Sequence, residues 1–185
     1  MVIPTEIATP RLILRMAQFS DPVPLFADYC GDADCAKYLM RGRHLSIEQT
    51  EKFLANWCDA AWRDPGKSFA WVIAENVGNT PIGVFVLMQE GEFLEFHFGI
   101  SKKYWGWGLV LEAGQAVVNW LIAHKAMRAV QTICDVENVQ SWRVLEKLGF
   151  RREEGQFQFV VMPELGAEPR RCFVYRMHQS LKQHE

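Results

Sequence analysis

From Glu95 to Ala113 the chain reads Glu-Phe-His-Phe-Gly-Ile-Ser-Lys-Lys-Tyr-Trp-Gly-Trp-Gly-Leu-Val-Leu-Glu-Ala, and no other run constrains the fold as much. A strand pattern turns through Gly106 and Gly108 into a helix pattern. A helix start carries unpaired N–H groups and the positive end of the helix dipole. Glycines before it let an anion approach the backbone. A dinucleotide fingerprint would need a third glycine where Leu111 stands, and a P-loop would need Gly-Lys-Ser/Thr, which does not occur. Two glycines alone fit a helix entered through a tight turn equally well.

The flanking segments show what this run is built into. Arg11–Arg15 alternates weakly and reads as a strand. Asp21-Pro-Val-Pro fits a helix start, with Asp21 as cap and a short helix to about Tyr29. Ser46 is the expected cap of a stronger helix whose apolar face is Ile47, Phe53, Leu54, Trp57 and Ala61. Asp64-Pro-Gly-Lys closes it. Phe69–Glu75, Ile82–Met88 and Leu94–Ile100 are strands joined by short turns, which predicts an antiparallel meander. Then come a helix over 109–125, a strand over 129–136, a helix over 139–148 ended by Gly149, and strands from Phe150 and over 171–177. Pro163–Pro169 reads as a loop between the last two. The strand–helix–strand crossover is long enough to join parallel neighbours. The pattern predicts α+β architecture, a mixed sheet of about seven strands with helices on both faces, and residues 1–185 form a single domain.

Within the strand at 94–100, period two places Glu95, His97 and Gly99 on one face and Phe96, Phe98 and Ile100 on the other. The net charge of −2 gives no reason to expect nucleic acid or an anionic membrane as partner. No window is long and apolar enough for a membrane span, and no signal peptide is visible. The five cysteines are scattered, with no C-x-x-C pair and no zinc spacing. They read as reduced thiols in a cytoplasmic protein, with no metal expected.

Tyr104-Trp-Gly-Trp-Gly-Leu-Val-Leu-Glu-Ala113 resembles the acetyl-CoA pyrophosphate loop of the GNAT N-acetyltransferases, most closely the RimJ/RimL-like branch that acetylates ribosomal proteins. Asp135-Val-Glu-Asn138-Val-Gln-Ser141-Trp-Arg-Val-Leu-Glu-Lys-Leu-Gly-Phe150 and Thr9-Pro-Arg-Leu-Ile-Leu-Arg15 are similar to two further signatures of that branch, in the same order. The resemblance covers about residues 8 to 178.

The resemblance implies a GNAT fold with one splayed parallel strand pair and acetyl-CoA as cosubstrate. Its pyrophosphate would lie on the N–H groups of Trp105, Gly106, Trp107, Gly108, Leu109 and Val110. Backbone amides at Phe98, Gly99 and Ile100 would polarise the thioester carbonyl. Glu95 matches the family's glutamate and is the expected general base; a solvated strand-face carboxylate is the competing reading. His97, on the same face, could assist or replace it. Ser141 would protonate the departing thiolate, unless it only hydrogen-bonds locally. Asn138 would contact the cofactor, cap its helix, or both. Trp107 stands where the family usually has Arg or Lys, and Val110 where it has Gly or Ala; Lys102 and Lys103 could restore the lost positive charge. Cys134 reads as an inert buried thiol.

The implied acceptor is a primary amine, on a small molecule or a protein N-terminus, with selectivity in residues 30–67 and the 160–170 loop. A dimer through the terminal strands is implied by family analogy. Two other readings remain: an inactive GNAT-fold acyl-CoA sensor, and an unrelated α/β domain using Trp57, Trp62, Trp105, Trp107 and Trp142 as interface anchors.

Overall fold

The edge-to-edge order of the sheet follows the chain for six strands and then reverses. A computed structural model describes residues 3–60, 68–124 and 130–177. Strands β1 (Glu6–Ala8) and β2 (Leu12–Arg15) precede three helical segments. These are α1 (Pro22–Leu25), continued by a π-helical turn over Phe26–Cys30; α2 (Ala33–Ala36); and α3 (Ile47–Leu54), continued by a π-helical turn over Ala55–Ala60. Strands β3 (Ser68–Glu75), β4 (Pro81–Glu90) and β5 (Phe93–Ile100) form the meander. Helix α4 (Leu109–Ala123), β6 (Val130–Asp135), α5 (Val139–Lys147), β7 (Arg151–Val161) and β8 (Pro169–Met177) complete the chain.

The eight strands lie in the order β1-β2-β3-β4-β5-β6-β8-β7. Only β5 and β6 pair in parallel; every other neighbour is antiparallel. The fold is α+β, as expected, with β1 added to the seven strands read from the sequence. The expected closing turn at Asp64–Lys67, with Ala61 and Trp62, lies outside the described residues.

The central strands are buried on both faces. Phe85, Leu87 and Phe96 pack with Val117, Leu121 and Leu145 from α4 and α5. Val72 and Val84 pack with Leu25, Tyr29 and Leu54 from α1, its π-helical continuation and α3. The ring contacts Phe85–Phe96 and Phe69–Trp71 are edge-on, at centroid distances of 4.7 and 4.8 Å.

Two expected caps are used differently. Asp21 makes no side-chain cap bond at α1. Its carboxylate instead takes both Nη atoms of buried Arg15, at 2.8 and 2.9 Å, and accepts from the Gln18 N–H. A buried guanidinium needs a full set of acceptors: Asp21 takes two donors, and Asn79 Oδ1, the Met16 carbonyl and the Asn79 carbonyl take the others. Ser46 makes no cap bond to α3; Gln49 Oε1 accepts from the Leu45 N–H instead.

Candidate active site

Strands β5 and β6 pair only at Leu94–Val130 and Glu95–Gln131. Beyond that point Phe96–Ile100 and Thr132–Asp135 diverge, each still held by its other neighbour. The Ser101 N–H pairs with the Ile82 carbonyl on the β4 side. Alternation along an antiparallel ladder therefore turns the backbone groups of Gly99 and His97 toward β4, and those of Phe96, Phe98 and Ile100 toward the gap. The amides of Phe98 and Ile100 are thus the ones open to a ligand, and Gly99 is not an equivalent donor. A cavity of ≈ 960 Å³ occupies the gap and extends over α2 and α3.

Gly99 serves the site by being small. A Cβ there would stand 2.3 Å from the Tyr29 hydroxyl, so the tyrosine seats directly on β5. Burial pushes the Tyr29 phenol up to about 12, which keeps it neutral.

The glycine turn is held from both sides. Gly106 and Gly108 have φ of 83° and 76°, left-handed values that favour glycine. Gly108 precedes α4 without any side-chain cap, so the first N–H groups of the helix stay free for an anion. Glu112, in the first turn of α4, accepts from Thr9 Oγ1 at 2.6 Å, Arg11 N at 2.9 Å and Arg11 Nε at 2.6 Å. Arg11 Nη1 donates to the Trp107 carbonyl at 3.0 Å. The opening Thr9–Arg15 motif is therefore a tether that fastens the β1–β2 corner to the turn.

Lys102 and Lys103 do not restore free positive charge. Lys102 Nζ lies 2.8 Å from Asp32 and 3.0 Å from Asp34, and Lys103 Nζ lies 2.6 Å from Asp28. They clamp the segment after β5 to the helices before β3. The two tryptophans divide. Trp105 lines the cavity and its indole N–H donates to the Ile100 carbonyl at 3.0 Å. The Trp107 side chain is exposed, stands edge-on to Tyr104, and does not line the cavity. Gly106, Gly108, Leu109 and Val110 all line it.

Glu95 is nearly buried and does not line the cavity, whereas His97 does. Glu95 Oε2 is 3.0 Å from His97 Nε2, and Glu95 Oε1 accepts from Gln131 Nε2 at 3.3 Å. The hydrogen bond from His97 holds the Glu95 carboxyl below the usual carboxylate range, against the opposing effect of burial. An ionised carboxylate can only accept, so Nε2 carries a proton, and in the neutral form of the ring the lone pair is on Nδ1. Gln131 had no local signal in the sequence; the cross-strand register at Glu95 is what brings it in.

Across the gap, Asn138 and Ser141 line the cavity at the start of α5. Asn138 Oδ1 accepts from the Ser141 N–H at 3.3 Å, so it is the helix cap, and its capping role is compatible with facing the cavity. Cys134 is buried beside Ser141, and burial raises its thiol to about 12, leaving it protonated. Asp135, fully buried, is paired to Arg170 Nε at 2.6 Å. Pro163–Leu165, in the expected loop, forms a 3₁₀ turn. Glu164 Oε1 accepts from the Arg43 N–H at 2.9 Å, joining this turn to the segment after α2. Among the described residues no group of three or more His, Cys, Asp or Glu could hold a metal ion, and no helix is long and apolar enough to cross a membrane.

The family model described as "Acetyltransferase (GNAT) domain" matches residues 11–151. The uncharacterized N-acetyltransferase YnaD of Bacillus subtilis is 27% identical over 150 residues, 80% of this chain and 84% of that protein. The crystal structure of a GNAT-family acetyltransferase from Bacillus anthracis superposes with a TM-score of 0.78 at 26% identity, covering 93% of this chain and 97% of that one. RimL, a ribosomal L7/L12 α-N-protein acetyltransferase solved in complex with coenzyme A, gives a TM-score of 0.76 at 17% identity over 92% and 96% of the two chains, a likeness of fold.

Proposed function

Because the chain belongs to the GNAT acetyltransferase family, in its RimJ/RimL-like branch, and is thereby an acetyl-CoA-dependent N-acetyltransferase, we propose that it acts by direct attack of a bound primary amine on the thioester. The observation that carries this reading is the β5–β6 gap, in which alternate backbone groups of one strand lack a strand partner. A pantetheine arm has the length and amide spacing to pair there. The N–H groups of Gly106, Gly108, Leu109 and Val110 suit the pyrophosphate, by backbone and helix dipole, since Trp107 brings no cation; those of Trp105 and Trp107 already donate to the Lys102 and Tyr104 carbonyls, at 3.2 and 3.5 Å. The Phe98 and Ile100 amides suit the carbonyl oxygen as charge develops on it.

His97 and Glu95 divide the work of the base. An alkylamine is mostly protonated near neutral pH and must lose a proton to attack. His97 Nδ1 has no hydrogen-bond partner among the described residues and takes that proton, directly or through water. Glu95 fixes the tautomer and stabilises the imidazolium that results. As the carbon–nitrogen bond forms and the carbon–sulfur bond breaks, Ser141 Oγ passes a solvent proton to the departing thiolate. No residue is acylated, in keeping with a protonated Cys134.

The test is thiol release from acetyl-CoA over a panel of amines, with coenzyme A binding followed by calorimetry. His97→Ala is expected to lower kcat about 100-fold or more while coenzyme A still binds. Glu95→Gln is expected to lower it less and to shift the acid limb of the pH–rate profile. A His97→Ala enzyme as fast as the parent would remove His97 from the reaction.

A further inference from the structure

The charges lining the cavity do not balance. Its three carboxylates, Asp34, Asp135 and Glu137, are each already paired, to Lys102 at 3.0 Å and to Arg170 at 2.6 and 2.8 Å. Four cations line it without a carboxylate partner among the described residues: Lys37, Arg143 and Lys147 are exposed, and the fourth, Arg41, is not. Its guanidinium is half-buried over the rings of Phe53 and Tyr29, at 5.3 and 5.7 Å from their centroids. It spends one N–H on the Gly42 carbonyl at 3.1 Å and one on the Cys30 sulfur at 3.9 Å. A guanidinium has five N–H groups, so three are left for a ligand.

The position is informative. The Tyr29 ring that supports Arg41 ends at Gly99, on the strand face that carries His97. One side chain therefore spans from Arg41, the partly buried one of these cations, to the neighbourhood of the proposed base. Phe53, Trp57 and Met88 line the same part of the cavity and are apolar. The Glu164–Arg43 bond draws the β7–β8 loop against the segment that follows Arg41.

We propose that Arg41 binds a carboxylate carried by the acceptor itself, so that the acceptor is an amino acid with an apolar side chain. The planar fork of Arg41 matches a carboxylate bidentately, and its aromatic seat holds the fork in place. A polyamine would bring more positive charge to a cavity whose carboxylates are already taken. A peptide N-terminus has no carboxylate one carbon from its amine. The proposal rests on the amine-acetylating reading above and narrows it to one substrate class.

The experiment compares kcat/KM for leucine, methionine and phenylalanine with that for their amides, for the corresponding decarboxylated amines, for spermidine and for a short peptide. The acids are expected to exceed the amides by about tenfold to a hundredfold, the range of a hydrogen-bonded charge. Basicity works against this order, because the carboxylate raises the amine pKa and shrinks its reactive neutral fraction. Arg41→Met is expected to bring the acid-to-amide ratio close to one, and Arg41→Lys to keep part of it. Amides that match acids in the parent enzyme would overturn the proposal, as would spermidine or the peptide as the best acceptor. Coenzyme A binding with no turnover of any acid would also overturn it while leaving the family reading intact. Failure to bind coenzyme A at all would remove both.

Discussion

The tether on Glu112 makes a graded prediction. One carboxylate takes three donors: the Thr9 hydroxyl, the Arg11 amide and the Arg11 Nε. Arg11 is half-exposed, with 50% of its side chain accessible, so its ion pair is worth at most about 1 kcal/mol. The other two bonds contribute about 1 kcal/mol each, and a carboxylate in the first turn of a helix adds a few tenths. Glu112→Ala removes all of these and is expected to cost about 2–3 kcal/mol, a fall in Tm of roughly 4–12 °C for a chain of this size. Glu112→Gln keeps Oε1 for Thr9 and the Arg11 amide but sets an NH₂ against Arg11 Nε. It is expected to cost about 1 kcal/mol, or roughly 2–4 °C. Arg11 also holds the Trp107 carbonyl, so loss of the tether should loosen the glycine turn. The affinity for coenzyme A, measured by calorimetry, should therefore fall with Tm in the order parent, Gln, Ala. A destabilised Glu112→Ala protein that binds coenzyme A as tightly as the parent would show that the tether supports the fold without shaping the turn.

Three other perturbations test separate parts of the site. Asn138→Ala should cost about 1 kcal/mol through the lost cap; Asn138→Asp should restore Tm in a melt but not coenzyme A affinity, since it keeps the acceptor and adds a negative charge. Gly99→Ala places a methyl group 2.3 Å from the Tyr29 hydroxyl and should cost about 1–3 kcal/mol; adding Tyr29→Phe should recover part of the loss in urea denaturation. Burial, with the Arg41 charge nearby, pushes the His44 imidazole down to about 4, whereas unfolded histidine titrates near 6.5. Between those values the unfolded state binds more protons, so the contribution is complete above about pH 6.5 and is lost as pH falls through about 4. The ring is partly exposed, so the loss should be about 1–2 kcal/mol. Urea midpoints between pH 7 and 4 should show it, and His44→Gln should flatten that dependence.

What could be read in the sequence was what local pattern encodes. Strands β3 and β4 were legible because burial on both faces selects near-continuous β-forming residues, and β5, only partly buried, by its aromatic-rich run between turns. The i, i+2 placement of Glu95 and His97 followed from strand geometry alone, and the structure joins them at 3.0 Å. Strand β1 was not legible: Glu6-Ile7-Ala8 has no strand pattern and is a strand only by pairing with β2. The side proposed for the acceptor was not legible either. Its π-helical turns and short α2 carry no stable period, and only tertiary packing brings Tyr29, Arg41 and Met88 to one cavity.

The sequence misleads most about charge, because proximity along the chain is a poor guide to electrostatic environment. Lys102 and Lys103 stand next to the glycine turn and look like its cations, yet three aspartates from the preceding helical region neutralise them. Trp107 looks like a cation lost from the turn. The guanidinium that does reach it comes from Arg11, whose Nη2 lies 3.9 Å from where a Gly108 Cβ would stand. Arg11 shares its charge with Glu112, so in the proposed binding mode most of the attraction for a diphosphate comes from the amides at the start of α4. A site held by short backbone hydrogen bonds rather than by exposed side-chain cations should lose little affinity for coenzyme A as salt rises, since contacts at hydrogen-bond distance are screened far less than exposed charges further away. Calorimetry at about 0.05 and 0.5 M sodium chloride separates the two cases: a shift under about threefold fits the amide cradle, and a drop of tenfold or more would return the work to surface cations.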